Sequence, residues 1–402
     1  MTATAPPKRS VGAPGWATPK TVGWAGVAFA VLAFFVAVPP IEVRTWVLPA
    51  IFGLLGVGAG AVAVREGEAR LGWCAMVGAI GGFAGGYAAT LSGTTHLEAV
   101  VVWGALLAST LRYATPLIFG ALGGLFSERS GVINIALEGM MLVGAFFGAW
   151  GADITGSWIG GLVIAIIFGA LFALIHAVFA VSLRADQIVS GTALNLLALG
   201  LTGYLYVQIY GNDGTPDDLP AVPDIKLPIN SVPLLGDVFG QLNLLVWLAL
   251  AMVVVTWVVV FRTTAGLRLR SVGEHPLAAE TAGLSPVRTR YIGVMTSGSL
   301  AALGGAFLSI GFNHSFTQNM TAGRGFIALA ALIFGRWRPG GALAATLLFG
   351  FGSALAQRLP TFSASGAVLF QALPYVLTLI AVTGVIGRSI PPASLGRPLP
   401  RA

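Results

Sequence analysis

Hydrophobic residues occur along this chain in long runs that short polar stretches separate. Each run is about twenty residues long, which is the length that crosses the hydrocarbon core of a bilayer as an α-helix. Because no water reaches the backbone there, a spanning helix must satisfy its own hydrogen bonds. The pattern therefore predicts an all-α polytopic integral membrane protein. About eleven transmembrane helices are expected, at residues 22–38, 46–64, 71–91, 99–126, 131–151, 158–182, 188–209, 242–261, 288–312, 340–358 and 367–387.

A shorter apolar run, residues 326–335, reads FIALAALIFG and is too short to span a bilayer alone. It is followed by GRWRPGG, in which Pro339 and three glycines interrupt helical hydrogen bonding. We therefore expect a broken or re-entrant half-helix that reverses within residues 335–341.

The polar stretch 268–286, RLRSVGEHPLAAETAGLSP, connects two predicted spans. Gly273 is expected to end the preceding helix, and Glu274 or His275 is expected to cap a new one. Pro276 suits a first helical position because its missing N–H is not needed there, and Gly283 suits a helix stop. Ser285-Pro286 begins the next span in the same way. The stretch therefore predicts a helix of about two turns outside the membrane, too short to be stable without a packing partner.

Composition and charge support the membrane assignment. The chain has 402 residues, of which 56% are hydrophobic and 9% are charged, whereas about a quarter of the residues are charged in a soluble domain. Most lysines and arginines lie on one side of the predicted spans. The positive-inside rule makes that side the cytoplasm and places both termini there. The formal net charge of +7 thus reflects topology, and we expect no nucleic-acid polymer as a partner.

Motifs for chemistry are absent from the sequence. No G-x-x-x-x-G-K-[S/T] occurs, so the chain cannot bind ATP in the P-loop manner, and energy must come from another subunit or an ion gradient. There is no H-E-x-x-H, and the single cysteine, Cys74, excludes an intrachain disulfide. We expect a protein that is not an enzyme, with no catalytic residues, no metal site and no cofactor.

One polar cluster, SERSGVINIALEG at residues 127–139, interrupts the apolar pattern. Ser130, Asn134 and Glu138 are spaced i, i+4, i+8, which puts them on one helical face. A charge at membrane depth is unfavourable unless it is paired or faces water. Arg112 is the candidate partner for Glu138, so the carboxylate either forms a structural pair or lies on the substrate path. The adjacent Glu128 and Arg129 are expected to anchor or cap the helix start.

A later span carries amides, a hydroxyl and an aromatic ring at helical spacing. These residues are Thr192, Asn195, Tyr204 and Gln208. Such groups suit a path for a nucleoside or sugar, because amides and hydroxyls hydrogen-bond the ribose and base edges while aromatic rings stack. Hydrogen bonds between helices use the same residue types. The outer loop 210–241, rich in aspartate and proline, is either a solvated loop or part of a docking face.

Three segments give the sequence a specific resemblance. Residues 266–310, beginning GLRLRSVGEHPLAAETAG, resemble the cytoplasmic coupling region of ABC importer permeases, in the family that serves simple sugars, branched-chain amino acids and nucleosides. Residues 109–146 resemble the central segment of the nucleoside subgroup, and residues 325–351 resemble the broken helix of the family. The resemblance covers about residues 100–388.

The resemblance implies a domain organisation. The permease core is expected at residues 96–388, after a disordered cytoplasmic tail at 1–20 and an N-terminal extension of three spans, 21–95, whose role the family does not explain. A cytoplasmic C-terminal tail follows at 389–402. The short helix would bind an ATPase subunit, so that nucleotide-driven closure moves the attached spans. The residues that the resemblance assigns to this coupling are Glu274, His275, Pro276, Leu277, Ala278, Ala279, Glu280 and Gly283.

The expected function is that of a transmembrane permease subunit that forms half of the translocation pathway of an ABC importer. The implied partners are ATPase subunits, a second permease that is identical or homologous, and an extracytoplasmic solute-binding protein. The location is the bacterial cytoplasmic membrane. A nucleoside is the favoured solute, followed by a simple sugar.

The alternative is a stand-alone secondary transporter, a class that buries ion-binding carboxylates or unwound sites in paired repeats. Here only Glu138 and the broken helix near residue 335 favour that class.

Overall fold

The structure, a computed structural model, describes residues 18–37, 41, 43, 45–91, 102–211, 214–229, 232, 234–358 and 390–399. The predicted span 367–387 and most of the predicted tail 1–20 lie outside the described residues. Within them, eight helices are long and apolar enough to cross a membrane, and the protein is an all-α polytopic membrane protein, as predicted. The described residues form two compact units. One unit contains the described residues up to Trp103 and residues 355–358. The other contains Gly104–Ala354 and residues 390–399.

The first unit is a bundle of three helices, α1 (Pro19–Phe35), α2 (Val47–Arg65) and α3 (Ala69–Leu91). Small residues line the contacts between them. A Cβ at Gly82 would lie 2.2 Å from the Ala30 carbonyl oxygen, and one at Gly60 would lie 2.6 Å from the Gly72 carbonyl oxygen. Because lipid supplies no hydrophobic force between helices, close backbone approach at small residues supplies the packing.

The remaining elements belong to the second unit, except that Trp103 and residues 355–358 are part of the first. These are α4 (Trp103–Arg129), α5 (Leu137–Thr155), α6 (Trp158–Ala177) with a π-helical turn Val178–Ser182, α7 (Gln187–Tyr210), β1 (Asp224–Lys226), α8 (Leu235–Phe239), β2 (Gln241–Asn243), α9 (Leu244–Arg262), α10 (Thr264–Glu274), α11 (Pro276–Thr281), α12 (Pro286–Ala306) with a π-helical turn Phe307–Asn313, α13 (Arg324–Phe334) and α14 (Pro339–Arg358). The two strands pair antiparallel, with Asp224 opposite Asn243.

Three helices form the core of this unit. Most residues of the apolar membrane-spanning stretch are buried in α4 (72%), α5 (83%) and α12 (78%), whereas only 22% of them are buried in α7. Close approach again depends on small residues, since a Cβ at Gly305 of α12 would lie 1.8 Å from the Met141 carbonyl oxygen of α5. The central helices are therefore enclosed by neighbouring helices on most sides, whereas α7 leaves a broad face uncovered by the described residues.

The predicted half-helix is confirmed. Helix α13 has 11 residues, a length of about 16 Å, roughly half of a hydrocarbon core of about 30 Å. The chain then reverses through Arg336 and Trp337, whose φ angles are +54° and +52°. Pro339 begins α14, as the sequence indicated.

Two local predictions were wrong. Residues 131–136 were expected to belong to a helical span, but the segment between α4 and α5 is not helical, and α5 begins only at Leu137. Gly273 was expected to end a helix, yet α10 continues through it to Glu274. A Cβ at Gly273 would lie 2.0 Å from the Arg129 carbonyl oxygen, so this glycine serves a close approach between α10 and α4.

Candidate functional site

The second unit has two chemically different ends. At one end, Arg129 of α4 lies 4.0 Å from Glu274 of α10, and the Ser182 hydroxyl lies 2.5 Å from that of Tyr291 in α12. We call this the α11 end, and it includes α10, α11, the start of α12 and the 130–136 connection. Helix α12 runs from there to the β1–β2 hairpin, where the Asn243 amide donates to the Gly311 carbonyl at 3.2 Å. We call the opposite end the hairpin end.

Helix α11 carries the predicted coupling residues and has six residues. Pro276 is its first residue, His275 occupies the N-cap position without a side-chain cap bond, and Gly283 follows with φ +82°. Ala279 is buried, whereas Leu277 is 59% exposed and Glu280 is also exposed. The expected start and stop signals are confirmed. The helix thus packs on the unit through the small side chain of Ala279, while Leu277 and Glu280 are exposed on its surface.

Glu274 differs from its neighbours because it belongs to the last turn of α10 and not to α11. One carboxylate oxygen accepts the Ala393 N–H at 3.1 Å, and the other faces Arg129. Of the predicted coupling residues it is therefore the one whose side chain is held by two other parts of the unit.

The 130–136 connection is a buried, non-helical segment whose backbone needs outside partners. The Ile133 N–H donates to the Gln187 side-chain oxygen at 2.7 Å, and the Ile133 carbonyl lies 3.0 Å from Nε2 of His176. An unpaired backbone group in an apolar interior is strongly unfavourable. Gln187 at the start of α7 and His176 near the end of α6 therefore stabilise the non-helical conformation of this segment. The sequence offered no signal for Gln187, whereas a histidine within an apolar span indicates a hydrogen-bonding group with a partner inside the protein.

Asn195 continues this support on α7. Its amide nitrogen donates to the Ile135 carbonyl at 2.9 Å, and its oxygen accepts the Gly139 N–H at 2.8 Å. Asn134 is fully buried, and its amide donates to the Ser297 hydroxyl at 2.8 Å. The structure thus brings Asn134, Glu138 and Asn195 together at one connection, although Ser130, Asn134 and Glu138 do not share a helical face.

The other predicted path residues on α7 lie elsewhere. Tyr204 is 62% exposed, and Thr192 and Gln208 are exposed as well. The Thr192 hydroxyl donates to the Ile188 carbonyl of its own helix. A contact between these three residues and solute stays a prediction.

Glu138 accepts hydrogen bonds at the start of the half-helix α13 and does not pair with Arg112. One carboxylate oxygen accepts the Thr321 hydroxyl at 2.6 Å and the Gly323 N–H at 2.8 Å, and the other accepts the Gly325 N–H at 2.6 Å. The expected ion pair with Arg112 is not formed among the described residues. The N-terminus of α13 has unpaired N–H groups and a partial positive charge, so a carboxylate is its natural acceptor. Glu138 is a remote N-cap for α13.

The other end of the half-helix is held from α4. The Glu128 carboxylate accepts the indole N–H of Trp337, and the Arg129 guanidinium donates to the Trp337 carbonyl at 2.9 Å and 3.2 Å. The expectation that Glu128 and Arg129 cap a helix start was wrong, because they end α4. They fix the turn after α13, so both ends of the half-helix are tied to the residues that flank the 130–136 connection.

At the hairpin end there is a cleft of about 400 Å³, within the range of roughly 300–1,000 Å³ that small-molecule sites occupy. Its wall combines charged, amide and aromatic groups: Arg112, Asp224, Asn243, Phe307, Phe312 and His314. Asn243 is committed to backbone groups of Val222 and Gly311. The π-helical turn after α12 carries both phenylalanines into the cleft wall. Within the described residues, no group of three or more potential metal ligands is found.

Comparison with known proteins gives this geometry a context. The family described as branched-chain amino acid transport system permease component matches residues 106–382. The chain is 44% identical to the guanosine ABC transporter permease protein NupQ of Bacillus subtilis (strain 168) over 314 residues. The aligned residues cover 75% of this chain and 98% of that protein. It is 41% identical over 303 residues to the nucleoside ABC transporter permease protein NupC of Lactococcus lactis subsp. cremoris (strain MG1363), covering 72% and 95%.

A third relative is named for a different solute. The putative glucose ABC transporter permease protein TsgC13 of Haloferax volcanii is 37% identical over 263 residues, covering 64% of this chain and 78% of that protein. No solved structure matches the chain. The α11 end and the cleft both lie within the residues that the family covers.

Proposed function

Because the chain belongs to the family of branched-chain amino acid transport system permease components and is a permease subunit of an ABC importer, we propose that it imports a nucleoside. In this proposal, separate ATPase subunits bind α11, and a solute-binding protein delivers solute at the hairpin end. A second permease, identical or homologous, completes the pathway. The protein lies in the bacterial cytoplasmic membrane with the α11 end and both termini in the cytoplasm.

The observation that carries the coupling role is the geometry of α11. A helix of six residues with one buried alanine has little stability of its own, yet it displays Leu277 at 59% exposure. An exposed apolar residue beside an exposed acidic residue suits the groove of another subunit. Helix α11 lies between α10 and α12 with only short connections. A displacement of α11 is therefore transmitted to α12, which is a core helix.

The distribution of charge supports the orientation. The arginines at the α11 end are Arg129, Arg184, Arg262, Arg268, Arg270, Arg288, Arg290, Arg336 and Arg338. The hairpin end instead carries Asp217, Asp218, Asp224 and Asp237, with Lys226 and with Arg112 in the cleft wall. An excess of lysine and arginine marks the cytoplasmic side of a membrane protein. This asymmetry supports a cytoplasmic α11 end.

The solute proposal rests on the relatives and on the cleft. Two relatives above 40% identity bear guanosine or nucleoside in their names. Phe312, which is 37% exposed and is backed by the buried Phe307, offers an aromatic face for a base, while Asp224 accepts hydroxyl donors such as those of ribose. A hexose shares the hydroxyls but lacks the planar aromatic base. Stacking on Phe312 therefore favours a nucleoside over a sugar.

The mechanism follows from the connections of the α11 end. Nucleotide-driven closure of the ATPase subunits displaces α11, and α12 and α10 move with it. Through Arg129 and Glu138, the movement reaches both ends of the half-helix α13. Helix α13 does not span the membrane, so its displacement can open one side of the path while closing the other. No covalent chemistry on this chain is required.

The alternative of a stand-alone secondary transporter is disfavoured by Glu138. Both of its oxygens accept hydrogen bonds from the start of α13, so it is a structural acceptor and not an available ion ligand. The broken helix then needs no ion-coupled role.

The test is transport by the complete complex in proteoliposomes, with guanosine as the solute and ATP hydrolysis measured in parallel. Leu277→Asp and Glu280→Arg are expected to abolish solute-dependent stimulation of ATP hydrolysis and to reduce uptake strongly. The matched controls Leu277→Met and Glu280→Asp preserve shape and charge and are expected to remain active. Normal coupled uptake in both disruptive variants, or uptake by the chain without ATPase subunits, would refute the proposal.

A further inference from the structure

The described C-terminal segment, residues 390–399, lies on the α11 end and hydrogen-bonds to three separate elements there. It has no helix or strand of its own, yet Ser394 is 5% exposed and Leu399 is 8% exposed. Leu395 packs against the cluster that contains Leu269 and Trp337, and Leu399 belongs to the cluster that contains Val132. The segment, which falls within the predicted C-terminal tail 389–402, is therefore docked against the second unit.

The first element is the C-terminal end of α10. The Ser394 N–H donates to the Gly273 carbonyl at 2.9 Å, and the Ser394 hydroxyl reaches the same oxygen at 2.7 Å. The Ala393 N–H donates to the Glu274 carboxylate at 3.1 Å. The last carbonyls of a helix have no partner within the helix. Ser394 supplies that partner directly before α11 begins.

The second element is the connection between α4 and α5. The Gly396 N–H donates to the Gly131 carbonyl at 3.2 Å. Gly131 has φ +96°, and a Cβ there would lie 2.7 Å from the Ser394 hydroxyl oxygen. A side chain at Gly131 would therefore be strained and would displace Ser394. The contact depends on the approach of two backbones.

The third element is α12, through Arg290, which is fully buried. Its guanidinium donates to the Arg397 carbonyl at 2.9 Å and lies 3.4 Å from the Ser394 hydroxyl oxygen. Among the described residues it forms no ion pair with a carboxylate. A buried cation needs acceptors, and the C-terminal segment supplies them.

We propose that residues 390–399 are a brace that positions α11 for coupling, with Ser394 as its central positioning residue. The brace joins the end of α10, the 130–136 connection and the start of α12, so a displacement of α11 is passed to all three together. Apart from the brace, the end of α10 meets α4 through the packing of Leu269, the close contact at Gly273 and the 4.0 Å Arg129–Glu274 pair. The Glu274 side chain is 48% exposed, and partly exposed pairs contribute little. The inference rests on the proposed coupling role of α11.

The experiment measures ATP hydrolysed per guanosine transported, using the complete complex in proteoliposomes. The variants are Ser394→Ala, Arg290→Lys and a chain that ends at residue 389. The matched control is Arg397→Ala, because the Arg397 side chain is exposed and its contribution to the brace is a backbone carbonyl. Complex assembly and basal ATP hydrolysis are measured in parallel, since a purely structural defect lowers both.

For Ser394→Ala, ATP hydrolysed per solute is expected to rise at least about fivefold, because one lost hydrogen bond corresponds to that factor and the hydroxyl contacts the Val272 and Gly273 carbonyls and Arg290. Assembly and basal hydrolysis should stay normal, Arg397→Ala should match the unaltered chain, and truncation should give the largest increase. An unchanged ratio in Ser394→Ala and Arg290→Lys would overturn the brace, whether or not the truncated chain assembles. If Leu277→Asp also left the ratio unchanged, the proposed function itself would fail. If Leu277→Asp uncoupled and the brace variants did not, only the brace would fail.

Discussion

The α11 end and the hairpin end of the second unit are built in opposite ways. At the α11 end, several charged and amide side chains form hydrogen bonds with fixed partners, including Glu138 with the start of α13 and Arg290 with the C-terminal segment. At the hairpin end, Arg112, Asp224 and His314 line an open cleft together with aromatic rings. A fixed network suits the transmission of movement, and a cleft suits the reception of solute. Substitutions at the two ends should therefore affect different measured quantities.

The largest effect is expected at Glu138. Glu138→Ala leaves the Thr321 hydroxyl and the N–H groups of Gly323 and Gly325 without their acceptor, and each unpaired buried group costs about 1–3 kcal/mol. We expect a clear loss of thermal stability and of uptake. Glu138→Gln, the control, keeps one acceptor oxygen and should lose less. Equal thermal unfolding of all three purified proteins would show that the half-helix does not depend on this carboxylate.

A smaller effect is expected at Asn195. Asn195→Ala removes two hydrogen bonds to the 130–136 connection and its first following turn, at a cost of about 1–3 kcal/mol. Thr192→Ala on the same helix is the control, because that hydroxyl bonds only its own helix, and a change within about 0.5 kcal/mol is expected. Thermal unfolding and uptake should both separate the two variants. If Thr192→Ala impaired uptake more than Asn195→Ala, the exposed face of α7 would contact solute after all.

At the hairpin end the expected change is in apparent affinity. Phe312→Ala and Asp224→Asn should raise the KM for guanosine uptake about fivefold, since loss of a stacking or hydrogen-bonding contact is worth about 1 kcal/mol. The ratio of ATP hydrolysed to solute transported at saturation should not change. Asp218→Asn, outside the cleft residues, serves as the control. An altered ratio with an unaltered KM would remove the distinction between the two ends.

The smallest effect is expected for Glu274→Gln. The amide oxygen still accepts the Ala393 N–H, and only the 4.0 Å interaction with Arg129 is lost. Such a half-exposed pair contributes less than about 1 kcal/mol and is screened by salt. We expect a small decrease in melting temperature at low ionic strength that disappears at high ionic strength. A large decrease that persists at high ionic strength would contradict this expectation, because a screened ion pair cannot account for it.

Local signals predicted much of the fold and of α11. Runs of about twenty apolar residues marked the helices, while Pro276 and Gly283 marked the ends of α11, because helix starts and stops depend on backbone chemistry within a few residues. The 130–136 connection was missed because its spacing also fits a helix. Hydrogen bonds from Gln187, His176 and Asn195, which are distant in sequence, stabilise its non-helical conformation. No local sequence pattern indicates those bonds.

The assignment of Glu138 shows the same limit. A carboxylate within an apolar run predicted a partner, and Arg112 was the nearest opposite charge in the preceding span. The structure instead supplies backbone N–H groups of α13, about 185 residues along the chain. Backbone donors are present at every residue and carry no sequence signature.

By itself, the sequence determined the membrane class, the approximate spans, the half-helix and the segment that forms α11, since transfer of apolar groups into lipid and local helix termination are properties of short stretches. Only the tertiary structure decided which partner each buried polar group has, and thereby the support of the 130–136 connection, the capping of α13 and the docking of residues 390–399. Hydrogen bonds in a low-dielectric interior depend on the positions of both partners to within tenths of an ångström. Those positions are fixed only when all the helices have packed.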